Sequence, residues 1–237
     1  IEFVHDGQGN DGAVVPPLAP TNVRITDTST GLRAEWDAPV DPLDASAVAE
    51  HYLVELSTDG KTFGPPHLTM EASFRLDDLV NCESLALRVR AVNRGGTSLP
   101  SRVRIARPLQ EGFRVLWVDG IRRTVRTVLE SPEAPRHGAW MLEDLRALER
   151  TDLHIVSADA REVADGGIAL AGHDLVIWCT GETSTRDAAL TDDEQAALKA
   201  YLEQGGALIL SGAELGWDLV AHGSEQEQNF FRHVLRA

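Results

Sequence analysis

The chain has 237 residues, a length that fits one large domain or two small ones. Its net charge of −15, from 37 Asp and Glu against 22 Lys and Arg, makes nucleic acid a poor partner because such a surface repels phosphate backbones. No run of residues approaches the roughly 18 apolar residues of a membrane helix, and 2 cysteines are too few for a disulfide framework.

The first segment has the composition of a linker. The chain begins at Ile1 rather than Met, so we expect a cut or processed chain, and the lack of a targeting segment says little about location. Gly7, Gly9 and Gly12 have the spacing of a dinucleotide-binding loop, but Pro16 and Pro17 exclude the helix that such a loop must open. We predict that residues 1–16 are a linker and the tail of a preceding domain.

Residues 21–106 alternate between apolar and polar side chains with a period of two, which predicts short strands. Turn residues separate the strands, for example Asp59 and Gly60 at the centre of a tight turn. Trp36 is predicted to lie in the core. Several short strands with turns between them indicate an antiparallel β-sandwich.

This segment resembles a fibronectin type III domain over residues 17–107. The resemblance rests on the proline-rich entry at 17–23, on Trp36 followed by Ala38 and Pro39, and on the strand at 88–93 that leads to the segment 98–101. One departure is Leu85, which stands where the family usually has a tyrosine whose hydroxyl ties down a corner. We therefore expect that tie to be absent or replaced.

The pattern changes after Pro108 to strands that alternate with helices. Nearly all-apolar strands are predicted at 113–120, 153–156, 173–179 and 207–210, with Trp117 and Trp178 in the core. A helix is predicted at 138–150, and a capping box at Thr191 and Glu194 begins another that ends at Gly205. This order predicts a parallel sheet covered on both faces. Because four strands are few, we expect either that the domain continues in a parent protein or that the fourth strand is an edge.

Residues 112–237 resemble the class I glutamine amidotransferase-like family, which has a flavodoxin-like fold of three layers. The resemblance rests on residues 114–120, 174–182, 201–208 and 211–219, and it is increased by 223–224 and 230–231. A fibronectin type III domain followed by this α/β domain resembles the C-terminal region of bacterial proteins labelled N-acetylmuramoyl-L-alanine amidase or xanthan lyase. The resemblance implies that Ile1 to Gly7 end a missing amidase domain, whose zinc ligands would be absent from this chain.

Amidotransferases of this fold place a nucleophilic cysteine on a turn after a strand, in the pattern G-x-C-x-G. The equivalent turn here runs from Gly212 to Gly216, and Glu214 occupies the position of the nucleophile. A carboxylate cannot form the acyl-thioester intermediate, so glutamine hydrolysis by that route is not expected. Glu214 could cap the following helix, contact a ligand or act as a general acid or base.

Polar side chains follow the predicted strands and define a candidate crevice. If the strands are parallel, Asp119, Glu182 and Glu214 lie at the carboxyl ends of the sheet, where α/β proteins bind ligands. We include Thr183, Ser184 and Trp217 as candidate ligand-binding residues; the full set is Asp119, Glu182, Thr183, Ser184, Glu214 and Trp217. The alternative is that these are ordinary turn and cap residues. A ligand could be a carbohydrate, a peptide or a cation.

Other candidate groups give no defined chemistry. Cys179 ends a predicted strand, but no nearby feature marks it as activated, and a buried free cysteine usually only packs. His222, Glu225 and His233 do not have the spacing of a zinc motif. We therefore predict no cofactor and no metal in this chain.

These observations favour a non-catalytic C-terminal region of a secreted bacterial cell-wall hydrolase, with the β-sandwich as spacer and the α/β domain as a ligand-binding or assembly module. The implied partner is a cell-wall glycan or peptide, or an assembly partner, and the implied location is extracellular, periplasmic or at the cell surface. Two alternatives remain: a structural, self-assembling protein, and a hydrolase that uses Asp119, Glu182 and Glu214.

Overall fold

A computed structural model of the protein describes residues 14–77, 84–108, 111–122, 141–143, 152–181, 183 and 188–236. The described strands form a β-sandwich and a parallel sheet. They share one long sheet, because one of the two sheets of the sandwich continues into the parallel strands.

The β-sandwich packs a three-stranded sheet against the antiparallel part of the long sheet. The strands of the small sheet are β1 (Thr21–Asp27), β2 (Gly31–Asp37) and β5 (Ser73–Asp77). The strands of the opposite sheet are β3 (His51–Ser57), β4 (His67–Thr69), β6 (Leu85–Asn93), β7 (Gly96–Thr97) and β8 (Arg104–Arg107). The sequence predicted the longer strands and missed β4 and β7, which have three and two residues and are too short for a period to show.

The core of the sandwich forms around Trp36, whose buried position confirms the prediction. Its ring meets Tyr52 edge to face at 5.3 Å, an arrangement that aromatic pairs favour. Leu85 is also buried in this cluster. The hydroxyls of Ser98 and Ser101 accept hydrogen bonds from backbone N–H groups of β6, at 2.9 and 3.0 Å, so side chains hold the chain to β6 where Pro100 interrupts the pairing.

The second half of the long sheet is parallel, as predicted. Its strands are β9 (Phe113–Asp119), β10 (Leu153–Asp159), β11 (Leu175–Gly181) and β12 (Ala207–Gly212). They lie in the order β10-β9-β11-β12, and each neighbouring pair runs parallel. β9 and β11 are central, and Trp117 and Trp178 on them are buried, as the sequence indicated.

Helices cover one face of the parallel sheet. They are α1 (Ala160–Ala164), α2 (Asp192–Glu203), a π-helix (Trp217–Ala221), α3 (Glu225–Asn229) and a second π-helix (Phe230–Leu235). Thr191 and Glu194 form the predicted capping box of α2, and Gly205 follows the helix with φ of 88°. On the other face, Met141 and Leu142 are buried against the sheet, in a helical segment at 141–143 within the predicted helix 138–150; the rest of that helix lies outside the described residues.

β12 is the outermost described strand of the long sheet. Leu208 and Leu210 pack against the core, whereas Ile209 on the opposite face is 48% exposed. The expectation of a fully covered sheet therefore does not hold for this strand. The outermost position of β12 does agree with the alternative in which the fourth strand is an edge.

The two halves join directly, strand to strand. β8 of the sandwich pairs antiparallel with β10, which places Ala106 opposite Val156, and the Ser157 hydroxyl accepts a 2.7 Å hydrogen bond from the N–H of Ile105. Val103 and Ile105 also share an apolar cluster with residues of β9 and β10. The sandwich is thus fixed to the parallel sheet by hydrogen bonds and by a common core.

Two side-chain contacts add to this junction. His154 of β10 is buried, and its Nε2 lies 2.8 Å from Asp27 at the end of β1. The Lys61 ammonium lies 2.9 Å from Glu143, although both side chains are exposed. Exposed pairs stabilise little, so the buried contact of His154 contributes more to the junction.

Candidate functional site

The carboxyl ends of the parallel strands place several polar groups in one row. In the strand register, Asp119 of β9 lies beside Asp159 of β10 on one side and beside Cys179 of β11 on the other. Cys179 in turn lies beside Ser211 of β12. This edge is where open α/β sheets bind ligands, so it is the first place to test for a site.

Asp119 is almost completely buried, with 1% of its surface exposed. Its Oδ1 accepts a 3.1 Å hydrogen bond from the N–H of Ile121, and its Oδ2 lies 3.2 Å from Nη1 of Arg102. Arg102 comes from the β-sandwich, just before β8. Asp119 is therefore the buried anchor of a junction between the two halves rather than an open ligand-binding carboxylate.

Asp159 holds two arginines of the sandwich at the same edge. Its Oδ2 lies 3.2 Å from Nη1 of Arg102 and 3.6 Å from Nη2 of Arg104. Arg104 is only 2% exposed, and its Nε donates a 2.9 Å hydrogen bond to the carbonyl of Val23 in β1. The sandwich thus closes the carboxyl end of β9 and β10 with two positively charged side chains.

A third carboxyl group, Glu162 of α1, lies nearby and is 3% exposed. Burial raises the pKa of Glu162, and the positive charge of Arg104 opposes that shift. One oxygen accepts a 3.0 Å hydrogen bond from the N–H of Asp159 in the capping box of α1. The other oxygen has no partner among the described residues.

The raised pKa of Glu162 makes stability depend on pH. The native state holds this proton more tightly than the unfolded chain, so the stabilisation is complete below about pH 4.3, the ordinary pKa of glutamate, and is lost as the pH rises through the raised native pKa. The Glu162→Gln variant cannot titrate there and still offers an oxygen to Asp159. We expect it to lose less stability than the wild type as the pH rises above about 4.3, measured by urea unfolding. Glu203→Gln, at an exposed position, is the control, and parallel curves for Glu162→Gln and wild type would contradict the assignment.

Glu214 lies on the exposed turn after β12. Its carbonyl accepts a 2.9 Å hydrogen bond from the N–H of Asp218, but its carboxylate makes no hydrogen bond to any described residue and does not cap the π-helix that follows. Among the described non-glycine residues, positive φ occurs only at Asn22 and Arg236, so Glu214 does not have the strained backbone of a nucleophile turn. Trp217 is 54% exposed, and its ring meets His222 edge to face at 4.6 Å.

Thr183 is buried and has a structural role in the loop after β11. Its hydroxyl accepts a 3.0 Å hydrogen bond from the N–H of Arg122, which follows β9. The Arg122 guanidinium donates to the buried carboxylate of Glu194 at 2.6 Å, and Glu194 also completes the capping box of α2. Glu182 and Ser184 lie outside the described residues. Of the four predicted residues that the structure describes, Asp119 and Thr183 are buried, whereas Glu214 and Trp217 are exposed.

Cys179 packs beside the apolar cluster under the sheet and is partly buried. The described residues contain no group of three or more His, Cys, Asp or Glu side chains arranged to hold a metal ion. None of the helices in the described ranges has both the length and the hydropathy needed to cross a bilayer.

Sequence reasoning missed the basic residues of this edge. Arg102 and Arg104 alternate with Val103 and Ile105, which is the pattern of a strand with one solvent-facing side. The structure instead directs both arginines at carboxylates of another part of the chain. The sequence feature that could have indicated this role is local. Two arginines alternate with apolar residues on the strand nearest the boundary, in a chain with few basic residues.

Comparison with known proteins identifies the first half of the chain. Residues 18–107 match the family model described as fibronectin type III domain. This is the segment that forms the β-sandwich around Trp36. Residues 18–107 are therefore a fibronectin type III domain, an all-β sandwich.

Curated relatives match stretches of the chain of different lengths. It is 37% identical over 87 residues to a protein named titin homolog from Caenorhabditis elegans, covering 36% of this chain and 0% of that protein. It is 30% identical over 151 residues to a putative S-adenosyl-L-methionine-dependent methyltransferase from Frankia alni, covering 62% of this chain and 46% of that protein. It is 26% identical over 157 residues to cardiac-type myosin-binding protein C from Gallus gallus, covering 60% of this chain and 12% of that protein. The chain spans less than half the length of each of these relatives.

The solved structures that are similar to this chain also include fibronectin type III domains. The 6th such domain of human fibronectin type III domain containing protein 3 is 16% identical, with a TM-score of 0.34, and the match covers 43% of this chain and 95% of that one. Domains A168–A170 of titin are 25% identical, with a TM-score of 0.32, and the match covers 37% of this chain and 30% of that one.

Proposed function

We propose that this chain is a non-catalytic accessory module in which the fibronectin type III domain is fixed to a class I glutamine amidotransferase-like α/β domain. The observation that carries the proposal is the closure of the sheet edge by Arg102 and Arg104, which neutralise Asp119 and Asp159. A carboxylate that is buried and paired as Asp119 is stabilises a junction and is withdrawn from substrate. With β9 taken as the first strand, the order β10-β9-β11-β12 also agrees with a flavodoxin-like sheet.

The turn that would carry a nucleophile in amidotransferases supports a non-catalytic role. Glu214 stands at the position of the cysteine, and a carboxylate there cannot form a thioester. Its backbone is also unstrained, so the turn lacks the geometry that exposes and aims a nucleophile. The proposed hydrolase built on Asp119, Glu182 and Glu214 is not favoured, because Asp119 is buried under Arg102.

The junction changes the role that we propose for the fibronectin type III domain. A flexible spacer would need few contacts with its neighbour, whereas β8 here hydrogen-bonds to β10 and shares an apolar cluster with the sheet. We propose a rigid spacer that holds the α/β domain at a fixed angle. The parent would be a secreted bacterial cell-wall hydrolase related to N-acetylmuramoyl-L-alanine amidases, as the order of the two domains suggests, and the module would bind a cell-wall glycan or peptide outside the cytoplasm.

A second candidate function, self-assembly, is favoured by the outer strand β12. Ile209 is exposed on one face of this strand. The outer edge of β12 pairs with no described strand, and an unpaired edge can pair with a second chain. Concentration-dependent dimers in light scattering, abolished by Ile209→Lys, would support assembly over ligand binding.

The test of the proposed function separates binding from turnover. The purified chain is expected to sediment with insoluble peptidoglycan, to release no soluble fragments from it and to produce no ammonia from glutamine. Glu214→Gln should bind as the wild type does, as should Glu203→Gln, the control at an exposed helix position. Turnover by the wild type that is lost only in Glu214→Gln would overturn the non-catalytic assignment. Failure to sediment would overturn the cell-wall assignment and leave the rigid module in place.

A further inference from the structure

A small cavity lies between the fibronectin type III domain and the α/β domain, beside the carboxyl end of β10. It has a volume of about 110 Å³. Its lining consists of the segment 20–23 around the start of β1, Arg102 and Arg104 from the edge of the sandwich, and Asp159 and Arg161 at the start of α1. The space suits a group of a few non-hydrogen atoms rather than a nucleotide or a sugar ring.

The cavity is positively charged, although the whole chain carries a net charge of −15. Its lining contains one carboxylate, Asp159, and three arginines, which are Arg102, Arg104 and Arg161. Behind the lining, Asp119 offsets part of the charge on Arg102, and Glu162 interacts with the charge of Arg104. The lining keeps a surplus of positive charge in a partly enclosed space, where an anion interacts more strongly than it would in open water.

The arginines also keep donors free for a ligand. Arg104 uses Nε on the carbonyl of Val23 at 2.9 Å and Nη1 on that of Val103 at 3.3 Å. Its Nη2 lies 3.6 Å from Asp159, which is too long for a good hydrogen bond. Arg161 is exposed, and its guanidinium makes no ion pair with any described residue. Nη2 of Arg104 is ion-paired with Asp159 but makes no hydrogen bond to a described residue, and the Arg161 guanidinium lies at the same cavity without a described ion pair, so the two can hold an anion from two sides.

We propose that this cavity binds a single carboxylate group, held by Nη2 of Arg104 and by the guanidinium of Arg161. Planar guanidinium groups match the two oxygens of a carboxylate. Asp159 in the lining disfavours a doubly charged phosphate, because the second negative charge would lie close to its carboxylate. The carboxylate could belong to the end of a peptide or to an acidic sugar. This inference does not depend on the parent protein or on the absence of catalysis.

The test uses small anions and the whole chain, at constant ionic strength. The probes are acetate, N-acetylglycine as a peptide carboxylate, glucuronate as an acidic sugar, and inorganic phosphate. NMR follows the side-chain Nε–H signal of Arg104, which burial protects from exchange with water. We expect saturable shifts with the carboxylates. Arg161→Gln should bind them about tenfold more weakly, because it loses a charged bidentate contact. The preferred carboxylate distinguishes the peptide from the sugar source.

The control is Arg75→Gln, an exposed arginine of β5 that pairs with Asp77 outside the cavity. It should bind each probe as the wild type does. Arg161→Lys should bind with intermediate affinity, because the positive charge remains and the planar fork is lost. Absence of saturable shifts, equal affinity in Arg161→Gln and wild type, or binding of phosphate alone would overturn the proposal. Because no cell-wall material is used, failure here is distinct from failure of the proposed function.

Discussion

Replacing Arg104 by leucine is expected to lower the free energy of unfolding by about 3–5 kcal/mol. The guanidinium is buried, lies 3.6 Å from Asp159 and donates to the carbonyls of Val23 and Val103. Leucine replaces none of these donors, so the carbonyl of Val23 and part of the charge on Asp159 lose their buried partner. Urea unfolding followed by tryptophan fluorescence measures the loss.

The position of Arg104 predicts where the loss appears. β8 connects the sandwich to β10, so the variant should weaken both halves together, and hydrogen exchange should accelerate in both strands. Arg75→Leu is the matched control, because Arg75 is an exposed arginine on a strand of the same domain and its ion pair is worth less than about 1 kcal/mol. A loss below about 1 kcal/mol in Arg104→Leu, or a loss confined to one half, would show that the junction does not depend on this side chain.

Local sequence signals predicted the elements that depend on neighbours in the chain. Asp59 and Gly60 form the predicted turn, in which Gly60 has φ of 70° and Asp59 accepts backbone hydrogen bonds from Lys61 and Thr62. The capping box of α2 was readable for the same reason, since Thr191 and Glu194 lie one helical turn apart. Trp117 and Trp178 were predicted as core because a strand that is apolar on both sides has to be covered on both faces.

The junction could not be predicted, because it pairs residues that are distant in the chain. β10 inserts between β8 and β9, so the strand that follows β8 in sequence is not its neighbour in the sheet. Nothing in the composition of β8 selects β10 over another edge. The serine that completes the pairing, Ser157, is equally compatible with a loop or a strand.

The sequence predicted where the candidate site lies, but it did not predict that the carboxylate of Asp119 is buried. Asp119 does end β9 at the carboxyl edge of the sheet, as the strand pattern implied. Its burial depends on Arg102, a residue of the other domain, whose reach follows only from the pairing of β8 with β10. The charge of an edge residue can be read from the sequence, whereas its exposure depends on what packs over it.

Gly212→Ala is expected to destabilise the protein by about 2–3 kcal/mol, because the end of β12 has no room for a methyl group. A Cβ at this position would lie 1.9 Å from the hydroxyl oxygen of Thr180, and Thr180 is buried in β11. Gly64→Ala is the control, since the nearest atom to a Cβ there is 3.6 Å away, and its effect should stay within about 0.5 kcal/mol. Thermal and urea unfolding give the values.

The clash itself can be tested by removing the other atom. In a Thr180→Ala background the hydroxyl is gone, and the nearest remaining contacts of the new methyl group are Leu215 and the Cβ at position 180, at 3.2 and 3.3 Å. Gly212→Ala should then cost about 1–2 kcal/mol less than in the wild type, because the two substitutions relieve one shared contact. An undiminished loss in this background would mean that Gly212 is required for the path of the backbone into the Glu214 turn. In that case the glycine at the end of β12 would be set by local geometry and not by packing against β11.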